Sequence, residues 1–221
     1  MRFLIEPLLP PASCAAMAEA LDQPDALWGP GEASAGWHAR AVKHNQQLDT
    51  ASALHQQLAE SLRQALVQHP LVQAAAFPRR VHSILFSRCG PGQGYGRHVD
   101  NAWMGAGRSD LSFTVALTDA DAYSGGALVL ESPSGEEAFR LPVGHALVYP
   151  STLLHRVEPV GAGERLVAVG WIESRIRHGD QRELLFELDT ARRALFERHG
   201  KDEIFDLVSR SYSNLLRRWD A

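Results

Sequence analysis

The sequence predicts an α+β protein with a mainly β core and helices at both ends, and three observations carry that prediction. Between residues 79 and 176, short β-like runs follow one another, separated by Gly, Pro and Asp. One run alternates, with Leu111, Phe113, Val115 and Leu117 on one side and Ser112, Thr114, Ala116 and Thr118 on the other. Apolar positions at helical spacing precede these runs over 49–69 and follow them beyond Ser174. Many short strands at such spacing make a sandwich or barrel, with the helices as flanks.

In chain order, Phe3-Leu4-Ile5 reads as a short strand. Pro10-Pro11 opens a helix through Ala12–Leu21, because the first helical turn has no use for the N–H that proline lacks. The Gly-, Pro- and Ala-rich stretch 24–36 reads as a loop. Over 49–69, Ala53, Leu54, Leu58, Leu62, Ala65 and Leu66 form one stripe, with Asp49 or Thr50 as cap and Pro70 as terminator. Strands are expected at 80–88, 95–100, 111–118, 127–131, 137–141, 146–150, 154–158 and 165–173. After them, Leu184, Leu188, Ala191 and Leu195 mark a helix ended by Gly200. Asp202 caps a last helix carrying Ile204, Val208, Tyr212, Leu215, Leu216 and Trp219. The chain thus divides into an N-terminal α/β flank at 1–78, a core domain at 79–176 and a helical segment at 177–221. The last reads as a packed tail or as a surface for homo-oligomerisation.

Length and composition bound the function. A chain of 221 residues, 45% hydrophobic and 22% charged, has enough material for one catalytic domain with a substantial core. A formal net charge of -4 gives no general attraction to nucleic acid or to an anionic membrane. The start MRFLIEPLLPP is broken by Glu6 and its prolines, and no segment approaches the roughly 20 apolar residues of a membrane span. A cytoplasmic location without a membrane partner is expected. Cys14 and Cys89 lie far apart with no Cys-x-x-Cys spacing, so reduced thiols are expected.

The chemistry is read from His98-Val99-Asp100. Residues i and i+2 of a strand share a face, so an imidazole nitrogen and a carboxylate oxygen can meet at one point. The triplet alone is weak, since a chain with this much His and Asp yields it by chance about 0.5 times. His155, heading a run after the Pro-Ser-Thr turn, completes two histidines and one carboxylate, the set that suits non-haem Fe(II) and leaves coordination positions open. Arg165 opens the run Arg-Leu-Val-Ala-Val-Gly-Trp and shares period-2 parity with Val167, Val169 and Trp171. A guanidinium on an apolar inner face requires an anion, and a bidentate carboxylate fits it best.

Together HVDNA, SGGALVLES, LVYPSTLLHRV and Arg165 resemble the iron(II)- and 2-oxoglutarate-dependent dioxygenases, specifically the bacterial PKHD-type hydroxylases of the prolyl 4-hydroxylase-like group. The resemblance runs from about Val81 to Trp171 and extends into RELLFELDTARRAL and NLLRRW. It implies a double-stranded β-helix, or jelly roll, with N-terminal flanking helices and a C-terminal helical tail. It also implies Fe(II) on His98, Asp100 and His155, and the distal carboxylate of 2-oxoglutarate on Arg165. O2 as cosubstrate and L-ascorbate as the reductant of iron are implied likewise. The implied reaction hydroxylates an unactivated C–H bond of a protein, peptide or small-molecule substrate and releases succinate and CO2.

Cys89 stands where relatives commonly have tyrosine, and His145 replaces an acidic or amide turn residue. His82 and the remaining histidines, His38 among them, read as ordinary hydrogen-bonded or surface residues. Lys43-His44-Asn45-Gln46 reads as a polar segment that could line the entrance, with Asn45 either contacting substrate or supporting a metal ligand, or else plain solvated loop, and the 101–109 segment reads as a shaper of substrate access. Gly92, Gly94 and Gly96 lead into a strand without Lys-Ser/Thr, which favours a lid or tight turn over a phosphate loop. Two rivals stand beside the dioxygenase: a non-catalytic iron-sensing jelly roll, and a cupin-like metalloenzyme that does not use 2-oxoglutarate. Neither needs the clamp that Arg165 offers.

Overall fold

A computed structural model describes every residue except His38, Ala106 and Ala221. The N-terminal part runs β1 (Phe3–Ile5), α1 (Pro11–Leu21), β2 (Trp28–Pro30), β3 (Lys43–His44), β4 (Gln46–Leu48), α2 (Ala53–Gln68) and α3 (Pro70–Ala76). The central part runs β5 (Pro78–Cys89), β6 (Gly94–His98), β7 (Trp103–Met104), β8 (Gly107–Arg108), β9 (Leu111–Ala116), β10 (Tyr123–Gly125), β11 (Leu128–Ser132) and β12 (Gly135–Phe139). It continues through β13 (Ala146–Pro150), β14 (His155–Val157), β15 (Val160–Gly163) and β16 (Arg165–Ser174), before α4 (Gly179–His199) and α5 (Glu203–Trp219).

Two antiparallel sheets make the jelly roll. The larger has seven strands in the order β1-β13-β9-β16-β5-β4-β2, and the smaller five in the order β12-β11-β14-β6-β3. The N-terminal strands close both edges of the larger sheet and one edge of the smaller, which leaves fewer unpaired backbone groups on the central strands.

Strand parity decides what each face of the larger sheet meets. Phe113, Val115, Ala168, Ile172, Ile84 and Phe86 pack with Leu58, Leu62 and Leu66 of α2 and Met17 and Leu21 of α1 in the main core. Burying a side chain of this size contributes about 1.5–3 kcal/mol, so this layer fixes the sheet against its helices. The opposite parity, Ser112, Thr114, Val167, Val169, Trp171, Leu85 and Ser87, lines an internal cavity between the sheets. A bulge falls where Ser83 takes φ 52 and the β16–β5 register shifts between Val169 and Trp171, so that Val169 pairs with Leu85 and Trp171 with His82.

Several elements differ from the sequence expectation. The 24–36 stretch is no plain loop, because Trp28–Pro30 pairs with Gln46–Leu48 at the sheet edge. The 49–69 helix begins at Ala53 with Ser52 as cap, its Oγ accepting from His55 N at 3.1 Å. Pro70 does not merely end that helix. It opens α3, a position where its missing N–H costs nothing. The 95–100 strand ends at His98, leaving Asp100 beyond it. In α4 the buried positions are Arg182, Leu185 and Asp189, while Leu184 is exposed, so the buried stripe is rotated from the predicted one. A leucine stripe misled here because Asp189 is held by Arg192 and Arg193 and Arg182 by the carbonyls of Ile176 and Arg177. Helix α5 starts after Asp202 as expected, with the Asp202 carboxylate accepting from Phe205 N at 2.7 Å.

Candidate metal and carboxylate-binding site

His98 and His155 are cross-strand partners in the β6–β14 pair, which sets their rings side by side with centroids 4.2 Å apart. Each ring is held the same way. His98 Nδ1 lies 2.8 Å from Gly96 O and His155 Nδ1 lies 3.0 Å from Leu153 O. A carbonyl only accepts, so Nδ1 carries the hydrogen in both rings and each Nε2 keeps its lone pair for the cavity. Burial first, and the neighbouring His155 second, hold His98 below the ordinary histidine range, which keeps it neutral and able to ligate.

Asp100 meets them from just past the end of β6, its Oδ1 lying 3.9 Å from each Nε2. The other carboxylate oxygen, Oδ2, accepts from Ser112 Oγ at 2.6 Å and from Trp171 Nε1 at 2.9 Å. Ser112 and Trp171 are themselves cross-strand partners in the larger sheet, so two adjacent strands aim two donors at one oxygen. The Ser112 hydrogen goes to Asp100, so Ser151 donates to Ser112 across 2.8 Å. This arrangement pins the carboxylate with Oδ1 turned toward the histidines. The three candidate ligand atoms lie within 4.8 Å of one another, all on buried or nearly buried side chains.

Aromatic rings brace this cluster. Tyr95 stacks on His98 at 3.6 Å and 19°, and Tyr149 meets His155 edge-on at 5.3 Å. Burial, and then Asp100, push the Tyr95 phenol up to about 12 and raise Tyr149 further still, so both remain neutral. Gly94 and Gly96 are required by close packing on β6, since a Cβ would fall 2.7 Å from Val157 O and 2.7 Å from Val42 Cβ respectively. The glycine run is therefore a tight turn at Gly92 feeding a crowded strand.

Arg165 opens into the same cavity, 5% exposed, with no hydrogen bond or ion pair among the described residues. Its stem lies over Gly126, where a Cβ would come within 3.1 Å of Arg165 Cδ. Its cross-strand neighbour Cys89 is also buried and lines the cavity. Burial raises that thiol, with Arg165 and Lys43 pulling it down, so Cys89 is a neutral wall residue. A guanidinium thus faces the space in front of a two-histidine, one-carboxylate cluster. Two imidazole nitrogens and one hard oxygen on one side, with the rest of the sphere open, suit Fe(II).

The other expected positions sort clearly. His82 uses both ring nitrogens, on Ser83 Oγ and Arg108 O, and stands apart from the cluster. His145 follows the turn at Gly144, its N–H bonded to Pro142 O. Asn45 is buried and lines the cavity, with Nδ2 donating to Ser87 Oγ at 2.5 Å. The 101–109 segment forms the β7–β8 hairpin, with Met104 at the cavity and Trp103 exposed, while Ala106 and His38 fall outside the described residues. Sequence reading gave no role to Ser112, Tyr95 or Tyr149, all on the cavity wall, and reached Lys43 only as one of several polar groups in an entrance-lining segment. For Ser112 the available signal was the Ser-x-Thr-x-Ala face of β9, polar yet mid-strand in a buried sheet.

Comparison with known proteins agrees with this geometry. The pattern of the 2OG-Fe(II) oxygenase superfamily matches residues 84–173, and that of the PKHD-type hydroxylase C-terminal domain matches 180–220. A PKHD-type hydroxylase of Synechococcus elongatus is 58% identical over 193 residues, 86% of each chain. Another, of Gloeothece citriformis, is 46% identical over 221 residues, 99% of each. Among solved structures, a Pseudomonas putida prolyl-4-hydroxylase superposes with a TM-score of 0.56 at 23% identity, covering 79% of this chain and 92% of that one. A Trichoplax adhaerens prolyl hydroxylase, solved with a hypoxia inducible factor peptide fragment, gives 0.56 at 13% identity over 83% and 86%. The last two likenesses concern the fold.

Proposed function

Because this chain belongs to the PKHD-type hydroxylases of the 2OG-Fe(II) oxygenase superfamily, we propose that His98, Asp100 and His155 hold its Fe(II) and that Arg165 holds the distal carboxylate of 2-oxoglutarate. Bound together, iron, cosubstrate and O2 supply the oxidation that places one oxygen atom in a substrate C–H bond and the other in succinate, with CO2 released. L-ascorbate keeps the iron ferrous between turnovers. The substrate is a protein, a peptide or a small molecule.

The residues' own work is positioning. Hydrogen bonds from both Nδ1 atoms fix the imidazole orientation, and Ser112 and Trp171 fix the carboxylate. Val157, Val167, Val169 and Leu128 give the cavity apolar walls, which exclude water from a reactive centre. The observation that carries the reading is Arg165, a buried guanidinium with no anion beside it among the described residues, in the same cavity as the cluster. An iron sensor or a cupin-like enzyme without 2-oxoglutarate has no use for it.

The test is turnover of 2-oxoglutarate under air with Fe(II) and ascorbate, measuring succinate and CO2. Equal amounts of both are expected, with none from His155→Ala. Arg165→Ala breaks a charge-assisted pair inside a buried site, a loss of about 3–5 kcal/mol, and raises the 2-oxoglutarate requirement by about a hundredfold or more. Equal 2-oxoglutarate affinity in wild type and Arg165→Ala would refute the clamp.

A further inference from the structure

The cavity holds a second buried cation. Lys43 lies on β3, cross-strand from Tyr95, and its ammonium donates to Ser34 Oγ at 2.8 Å and lies 5.0 Å from the centre of the Tyr95 ring, the ring that stacks on His98. Lys43 is only 5% exposed, and among the described residues no carboxylate oxygen lies within ion-pair distance of it. Burial lowers its ammonium to about 8, with Asp100, Cys89 and Glu32 pulling it back up, so it is still mainly protonated at neutral pH. A lysine kept charged in a closed wall is costly unless an anion meets it, and an apolar residue would fill the same space at lower cost.

Charge balance points to what is missing. Among the described residues lining the cavity, the formally charged side chains are Lys43, Arg165 and Asp100, two cations against one carboxylate. Fe(II) and the 2-oxoglutarate dianion cancel each other, so the loaded site retains one positive charge. Both ends of 2-oxoglutarate already have partners, the distal carboxylate on Arg165 and the other end on the metal. Lys43 is left for another molecule.

We propose that Lys43 is a specificity-determining residue that receives a carboxylate of the substrate, which makes the hydroxylated molecule an anion carrying its charge near the reacting carbon. The inference rests on the reading of the site as an iron and 2-oxoglutarate centre. Tyr95 links the two, since the ring beneath the ammonium is the one braced against His98. A carboxylate seated on Lys43 is thereby held close to the metal ligands, with apolar wall around the rest of the molecule.

The test uses wild type, Lys43→Met and Lys43→Arg, each loaded anaerobically with Fe(II) and 2-oxoglutarate. Each is titrated with a panel of small monocarboxylic acids, linear and N-acetylamino, and with their primary amides, following the visible metal-to-cosubstrate band. In wild type, acids from the panel perturb the band and their amides bind at least about tenfold more weakly. Lys43→Met loses that preference, while its half-saturation by 2-oxoglutarate stays within about twofold of wild type and its melting remains cooperative. Lys43→Arg keeps a preference for acids. Indifference of wild type to the acid–amide difference, or retention of the preference by Lys43→Met, would overturn the proposal. So would a tenfold or greater loss of 2-oxoglutarate affinity in Lys43→Met, which would assign the cation to the cosubstrate. Failure of the iron reading looks different, because no band then forms in wild type at all.

Discussion

Replacing Trp171 by Phe keeps one aromatic ring in a smaller volume and removes the indole N–H, and with it the hydrogen bond from Trp171 Nε1 to Asp100 Oδ2 at 2.9 Å. A hydrogen bond to a charged acceptor contributes about 1.5–3 kcal/mol. Its partner from Ser112 remains at 2.6 Å, so the carboxylate keeps one anchor and gains freedom to rotate Oδ1 away from the two histidines. Loss of an outer hydrogen bond to a metal ligand lowers metal affinity about 10–100-fold, or roughly 1.4–2.7 kcal/mol, which fits the loss of one of two such bonds. Ser112→Ala should fall in the same range, and also frees Ser151. The double variant should lose more than either alone. Anaerobic calorimetric titration with Fe(II) measures this directly, with melting of the metal-free proteins as the control for folding. Metal affinity within about twofold of wild type in both single variants would refute the claim that these donors aim the carboxylate.

Three further outcomes follow from the same geometry. His98 is held below its unfolded pKa, so the unfolded chain takes up its proton first. The metal-free protein should therefore lose stability as pH falls from about 6.5 toward the lower folded value, and thermal melting across that range without metal checks the sign. Gly126→Ala places a Cβ 3.1 Å from Arg165 Cδ and 3.0 Å from Val160 Cγ2 at φ +64. It should weaken 2-oxoglutarate binding severalfold while Fe(II) binding holds, as paired titrations would show. Leu62→Ala, at a fully buried position of the main core, should cost about 2–5 kcal/mol in denaturant unfolding without changing metal affinity in the folded state.

The fold was largely legible because strand and helix periods are local signals. Leu111, Phe113 and Val115 pack toward the helices and Ser112 and Thr114 toward the cavity, as period-2 alternation separates them. Leu58, Leu62 and Leu66 of the long N-terminal helix face the sheet as their spacing indicates. Position in the sequence hid what depends on long-range pairing. Trp28–Pro30 becomes a strand only because Gln46–Leu48 lies beside it. In α4, salt bridges to Asp189 and carbonyl contacts of Arg182 decided which side is buried, and a count of leucines does not register them.

At the site, the structure brings His98, Asp100 and His155 to one point, but by a route the sequence did not give away. Asp100 lies past the strand end, and its orientation is set by Ser112 and Trp171 rather than by strand parity with His98. Arg165 shares a face with Val167, Val169 and Trp171, as its run implied, and that face lines the cavity. Ser112 carried only the weak signal of a polar residue in mid-strand, and Lys43 stood in a polar segment expected at the entrance, where no local pattern marks it as a buried cation.

The most direct measurement is the visible absorption of the protein mixed anaerobically with Fe(II) and 2-oxoglutarate. The account predicts a weak metal-to-cosubstrate band that appears only when both are present, disappears in His155→Ala, and needs far more 2-oxoglutarate in Arg165→Ala. A verified Fe(II)-loaded wild type that shows no band with saturating 2-oxoglutarate would contradict it.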